Sequence, residues 1–154
     1  MASDSGSSFL PPRWVVTTAW RVHRGLYRFS GGRFGLRDPR ADRYGLAQLT
    51  TTGRRSGLER SVMIGFYEDD EAFVTMAMNG WAAPEPGWWL NLQAHPNATL
   101  TLNDRTVEVV GSAAVGEERD RLWQRWRELD KQLDSWAARR PDETAVVVLT
   151  PVDS

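Results

Sequence analysis

The chain has no cysteine, two histidines and a single lysine in its 154 residues. Without thiols it can build no disulfide framework, no thiolate zinc site and no iron–sulfur cluster. His23 and His95 stand far apart without ligand spacing, so no metal site is expected. No apolar run reaches the roughly 18 residues that would span a bilayer. The polar, acidic start Met1–Ser8 lacks the basic-then-apolar order of a signal peptide. Together these absences predict a cytoplasmic protein.

Positive charge is carried almost wholly by arginine, eighteen of them beside Lys131. The net charge is −1, but it is unevenly spread. Residues 1–60 hold eleven arginines against Asp4, Asp38, Asp42 and Glu59, whereas residues 61–154 hold seven arginines and Lys131 against sixteen acids. Such asymmetry can draw an anionic partner, although halves that interleave in one domain neutralise each other. The arginines follow no nucleic-acid-binding motif, and no nucleic acid partner is expected.

The length fits one domain with a real core. Residues 1–12, Ser-rich and ending in Pro11-Pro12, read as a disordered tail, and residues 13–154 as the folded domain. Residues 13–29 predict an amphipathic helix, with Trp14, Ala19, Val22, Leu26 and Phe29 near helical spacing and Arg21, Arg24 and Arg28 on another face. A helix of this kind can lie on an anionic membrane or pack on its own domain. Ser30-Gly31-Gly32 stops it.

From Tyr44 the signal turns to strands, at Tyr44–Thr52, Arg60–Tyr67, Ala72–Met78, Ala98–Leu102, Thr106–Val115 and Thr144–Leu149. Glu68–Glu71 and Asn103-Asp104 mark two hairpins. Pro86 opens a helix that Pro96 ends, and Glu117–Leu129 opens with acids suited to a helix N-terminus. Leu122, Trp126, Leu129 and Leu133 extend the second helix's apolar stripe, predicting continuation through Trp136. Short strands at this spacing suggest a small barrel or a strongly bent sheet.

The most chemically loaded segment is Leu49-Thr-Thr-Thr-Gly-Arg-Arg-Ser-Gly-Leu-Glu-Arg60. Its glycines permit a sharp turn and close approach to a ligand. Its three guanidinium forks suit phosphate and carboxylate. On chemistry alone it is either an anion seat or a solvated hairpin.

This segment, together with Pro86-Gly-Trp-Trp-Leu-Asn-Leu-Gln-Ala-His-Pro96-Asn and the Thr144–Pro151 ending, resembles the deazaflavin (coenzyme F420)-dependent nitroreductase family. The likeness runs over roughly residues 14–151. It implies an α+β, mainly β fold: a six-stranded antiparallel split β-barrel with a basic N-terminal helix and flanking helices. It implies coenzyme F420 as the cofactor, with FMN ranked below it because the Arg-rich loop matches the deazaflavin branch. Arg54, Arg55, Ser56 and Arg60 would hold the cofactor's phosphate and oligoglutamate tail. Met63, Ile64, Ala77, Met78, Asn79, Trp88 and Asn91 fall at positions around its rings, with Asn91 open to a structural role and Trp89 assigned to the core. Met78, Leu133 and Trp136 fall at substrate-pocket positions.

Departures limit the likeness. Members commonly carry proline at the position of Met63, lysine at that of Asn79 and methionine at that of Gly87. Tyrosines that shape one branch's nitroimidazole pocket correspond to Asp130, Leu133 and Trp136, so that substrate class is not expected. The implied activity is reduction of a small electrophile such as a quinone, enone or nitro compound, with no side chain acting as an obligate acid. A non-catalytic carrier of a fatty acid or cofactor and an FMN-binding split barrel are the alternatives. Peripheral membrane contact through residues 13–29 and a monomer or homodimer complete the expectations.

Overall fold

Alternation of buried and half-buried positions along Gly45–Thr52 makes this segment a strand with one face inward. The computed structural model describes residues 35–78 and 84–152, so the expectations for residues 1–29 and for Asn79 lie outside the described residues. The strands are β1 (Gly45–Thr52), β2 (Glu59–Asp69), β3 (Ala72–Met76), β4 (Asn97–Thr101), β5 (Thr106–Ala113) and β6 (Val146–Pro151). The helices are α1 (Gly87–Ala94), α2 (Gly116–Leu129) and α3 (Leu133–Ala137). All belong to one unit, Leu36–Ser154.

The strands close an antiparallel barrel in the order β1-β2-β3-β6-β5-β4. The β1–β2 pair is long, from Gly45 opposite Phe66 to Thr52 opposite Glu59. By contrast β1 meets β4 only through Gln48–Thr101, Leu49–Leu100 and Thr50–Thr99. Beyond Thr50 the two strands part, and β1 with β2 carries the Gly53–Leu58 turn away from the barrel. The sequence expectation of a six-stranded split barrel with flanking helices is met.

Ala47, Leu49, Ile64, Phe66, Leu100 and Leu149 fill the interior, and α1 adds Trp88, Trp89 and Leu92 to the same core. A second core covers the outside of the barrel. There Tyr67, Val74, Met76 and Val146 pack against Leu122 and Trp126 of α2 and Leu133 of α3. This two-sided burial explains why β2 and β3 lack clean alternation. The Tyr67 hydroxyl donates to the Leu122 carbonyl at 2.8 Å, and burial pushes its phenol pKa up, keeping it a neutral donor.

Several boundaries depart from the sequence expectation, β2 running two residues further to Asp69 and β5 stopping two residues short at Ala113. The second helix does not run through to Trp136 but ends at Leu129, because Asp130 takes an extended backbone (φ −137°, ψ 101°). Its carboxylate accepts the Gln132 amide at 3.0 Å, a local bond that competes with the helix. Arg127 and Trp123 donate to Asp134, which ties α3 back to α2 and holds the Asp134 carboxyl below the usual range. β6 starts at Val146 and runs to Pro151, and β3 ends at Met76.

An exposed bidentate pair joins α2 to the end of β2: Arg121 donates to both Asp69 carboxylate oxygens at 2.9 Å. The Arg121 hydrogen bonds hold the Asp69 carboxyl below its usual range. A depressed carboxyl stabilises the fold above its unfolded pKa of about 3.9, and that contribution is lost as pH falls through the folded value. Asp69→Asn should therefore melt about 1–3 °C below wild type at pH 7. The gap should close below about pH 4 in thermal melts followed by circular dichroism. A gap that persists at pH 2.5 would show that the effect is not electrostatic.

Candidate cofactor-binding site

The turn between β1 and β2 is locked by its own backbone. The Gly53 amide donates to the Leu58 carbonyl at 2.7 Å, and the Gly57 amide to the Gly53 carbonyl at 2.8 Å. Gly57 has φ 73°, a left-handed conformation that glycine adopts without steric cost. The Ser56 hydroxyl accepts the Leu58 amide at 3.2 Å and lies 3.5 Å from an Arg60 guanidinium nitrogen. The turn thus lifts Arg54 and Arg55 into solvent, with Arg60 beside them at the start of β2.

Among the described residues, ion pairs engage Arg105, Arg119, Arg121, Arg125, Arg127 and Arg140, but not Arg54, Arg55 or Arg60. Three guanidinium groups are held together without a carboxylate on any of them. Like charges carried on one short turn repel, so the cluster favours an anion with several charged oxygens.

Asn91 explains how the turn keeps its place. It lies on α1, 5% exposed, and its Oδ1 accepts the Arg54 amide at 3.1 Å and the Arg54 Nη1 at 3.0 Å. Its Nδ2 donates to the Thr51 hydroxyl at 3.1 Å. Asn91 therefore takes the structural role that the sequence left open: one amide fastens helix to turn. The Arg54 amide is spent in that bond, while Arg54 itself stays exposed to solvent.

The ring-side positions divide by face. Met63 and Ile64 are neighbours on β2 and point to opposite sides. Ile64 belongs to the barrel core, so its side chain faces away from an outer ligand, and Met63 lies on the other face, 9% exposed. Ala77 is wholly buried in the core, and Met78 beside it is exposed. Trp88 joins Trp89 in the barrel core, where the sequence had placed only Trp89. Their rings meet edge to face with centroids 6.4 Å apart, leaving 8% of Trp88 accessible.

Of the substrate-side positions, Leu133 is fully buried in the second core and anchors α3. Trp136 is half-buried under the Arg139 guanidinium, 4.5 Å from its ring centre. With Met78, it remains the accessible part of that set. A separate groove of about 360 Å³ opens where β1 leaves β4, lined by Thr50, Thr52, Asn97, Thr99, Glu59 and Glu108. Its carboxylates suit it poorly to an anion.

Sequence reasoning did not single out Thr51 or Arg140. Thr51 is buried at the hinge of the turn, and Arg140 is buried between three chain segments. Neither carries a spacing signal, because apart from Thr144 their partners are distant in sequence.

The donor chemistry fits a cofactor with a phosphate and a carboxylate tail: an unneutralised arginine trio sits on a turn fastened to the tryptophan helix. Among the described residues, no group of His, Asp and Glu could hold a metal ion, and no helix is long and apolar enough to cross a membrane.

An F420H(2)-dependent quinone reductase of Mycobacterium tuberculosis is 30% identical over 141 residues, covering 90% of this chain and 93% of that protein. Among solved structures, an F420-H2 dependent reductase, FDR-A, superposes with a TM-score of 0.62 at 23% identity, over 68% of this chain and 92% of its own. A domain-swapped dimer superposes with a TM-score of 0.65 at 22% identity, over 88% and 96%. These two likenesses establish the shared fold. Residues 19–151 match the F420H(2)-dependent quinone reductase family, and with that match and the 30% relative the chain belongs to this family.

Proposed function

We propose that Arg54, Arg55 and Arg60 hold the phosphate and oligoglutamate tail of coenzyme F420, while Trp88, Met63 and Met78 lie along its rings. As a member of its family, the protein is an F420-dependent reductase that acts on quinone-type acceptors. The observation that carries the site reading is a turn with three arginines, none in an ion pair, fastened through Arg54 and Thr51 to Asn91 on the tryptophan helix.

Bound, the reduced coenzyme supplies a hydride to an electrophilic acceptor. The chain's own contribution is to hold and orient. The guanidinium forks fix the tail and so set the register of the rings along the protein. Trp88 keeps 8% of its surface accessible, and the apolar Met63 and Met78 exclude water from the contact. No described side chain here offers a buried acid, so the proton that completes the acceptor's reduction comes from solvent.

Titration of the purified protein with F420 and with FMN tests the reading. Binding that tightens with oligoglutamate length supports it, and binding of FMN alone overturns it. Arg55→Ala and Arg60→Ala should each weaken F420 binding by about fivefold, with a shallower dependence on salt. Unchanged affinity in both variants would remove the arginines from the site. Oxidation of the reduced coenzyme by menadione separates an enzyme from a carrier.

A further inference from the structure

Arg140 is the most deeply buried charge among the described residues, its side chain wholly inaccessible. Its Nη1 donates to the Thr144 hydroxyl at 2.8 Å and to the Ala77 carbonyl at 3.3 Å. Its Nη2 donates to Glu85 Oε1 at 2.5 Å. Its own backbone amide is fixed on the Ala137 carbonyl at 3.1 Å, just past α3. One rigid, planar group therefore joins three segments: the chain leaving β3, the chain approaching α1, and the approach to β6.

What it joins matters more than that it is buried. Ala77 immediately precedes Met78, and Glu85 immediately precedes Pro86, which caps the helix bearing Trp88. Ala77 is tied a second time, by its amide to the Ala145 carbonyl at 2.9 Å. Met78 and Trp88 come from chain segments with no mutual strand pairing, and the guanidinium fork spans them. Burying an ion pair is seldom the most stabilising use of such a position, since apolar packing avoids the desolvation cost. A planar fork does offer fixed angles to several acceptors at once, and this suits a spacer.

We propose that Arg140 is a positioning residue of the deazaflavin site, setting the end of β3 against the start of α1 so that Met78 and Trp88 lie at the spacing the rings require. This rests on the cofactor reading above. It assigns a role in the reaction to a residue remote from the arginine turn.

The decisive variant is Glu85→Ala, which removes one arm while Arg140 keeps Ala77 and Thr144. Arg140→Met and Arg140→Lys complete the set. In apo protein labelled with 15N-tryptophan, the Trp88 indole resonance, assigned with Trp88→Phe, should shift in Glu85→Ala, while that of Trp126 in the second core stays in place. In the loaded enzyme, kcat with menadione should fall about tenfold with the KM for menadione within about twofold, as misplacement of reacting groups predicts. Arg140→Lys should recover part of the kcat lost in Arg140→Met. A lower melting temperature with unchanged Trp88 resonance, F420 affinity and kcat would overturn the proposal and leave a structural pin only. If wild type fails to bind F420, the cofactor reading fails by itself, and an unmoved Trp88 resonance in the apo variant still overturns the positioning role separately.

Discussion

Asn91→Leu should lower the melting temperature by about 5–10 °C and weaken F420 binding more than about tenfold. Leucine keeps asparagine's branched outline with the same number of side-chain heavy atoms, so no cavity is opened. What is lost is the joint: the Arg54 amide, the Arg54 guanidinium and the buried Thr51 hydroxyl each lose their partner on α1. Arg54 can turn to water, but Thr51 is 1% exposed and its hydroxyl would be stranded. Leaving buried polar groups unpaired costs about 2–3 kcal/mol in total. Thermal melts report that loss, and F420 titration reports the displaced turn. A variant that melts normally yet binds F420 as wild type does would show that the turn holds its place without Asn91.

Gly45→Ala should destabilise by about 3 kcal/mol, enough to cost roughly 6–12 °C in melting temperature. A Cβ on Gly45 would lie 2.8 Å from the Arg37 carbonyl, from the Pro39 nitrogen and from Phe66 Cε1. Two of these are backbone atoms, and Phe66 is a 1%-exposed core ring opposite Gly45 in the strand register. No side-chain rotation relieves the contact. Gly111→Ala makes an instructive comparison, since its added Cβ meets chiefly the mobile ends of Leu92, the nearest at 2.9 Å. Urea unfolding should rank Gly45→Ala well below Gly111→Ala, and the reverse order would mean that the Arg37–Leu46 bridge yields easily.

The strands were legible because hairpin turns and alternation are local properties. Asp69 and Ala72 pair directly across the first turn, and Asp70 supplies its left-handed corner at φ 54°. The end of α2 was not legible, because the stripe Leu122, Trp126, Leu129, Leu133 keeps helical period straight through the break. Leu133 still reaches the second core after the chain restarts, so the spacing survives while the helix does not. Resemblance supplied positions around the rings but not faces, which is why Met63 and Ile64 were named together and prove to point apart. The Asn91 joint spans 37 residues and the Arg140–Ala77 contact 63, separations for which no sequence period exists. Within the polar run Arg139-Arg140-Pro141-Asp142 nothing local distinguishes the second arginine, which is buried.

The short β1–β4 contact has a consequence for how this barrel avoids sticking to itself. Past Thr50 and Thr99 the two strands each pair on one side only, so two backbone edges face an open groove. Bare edges of this kind invite an extra strand from a neighbouring molecule. Here such a strand would have to strip water from Glu59 and Glu108, whose carboxylates line the gap. Two carboxylates of like sign thus guard the opening against strand addition, one from each of the strands β2 and β5 that flank the parted pair.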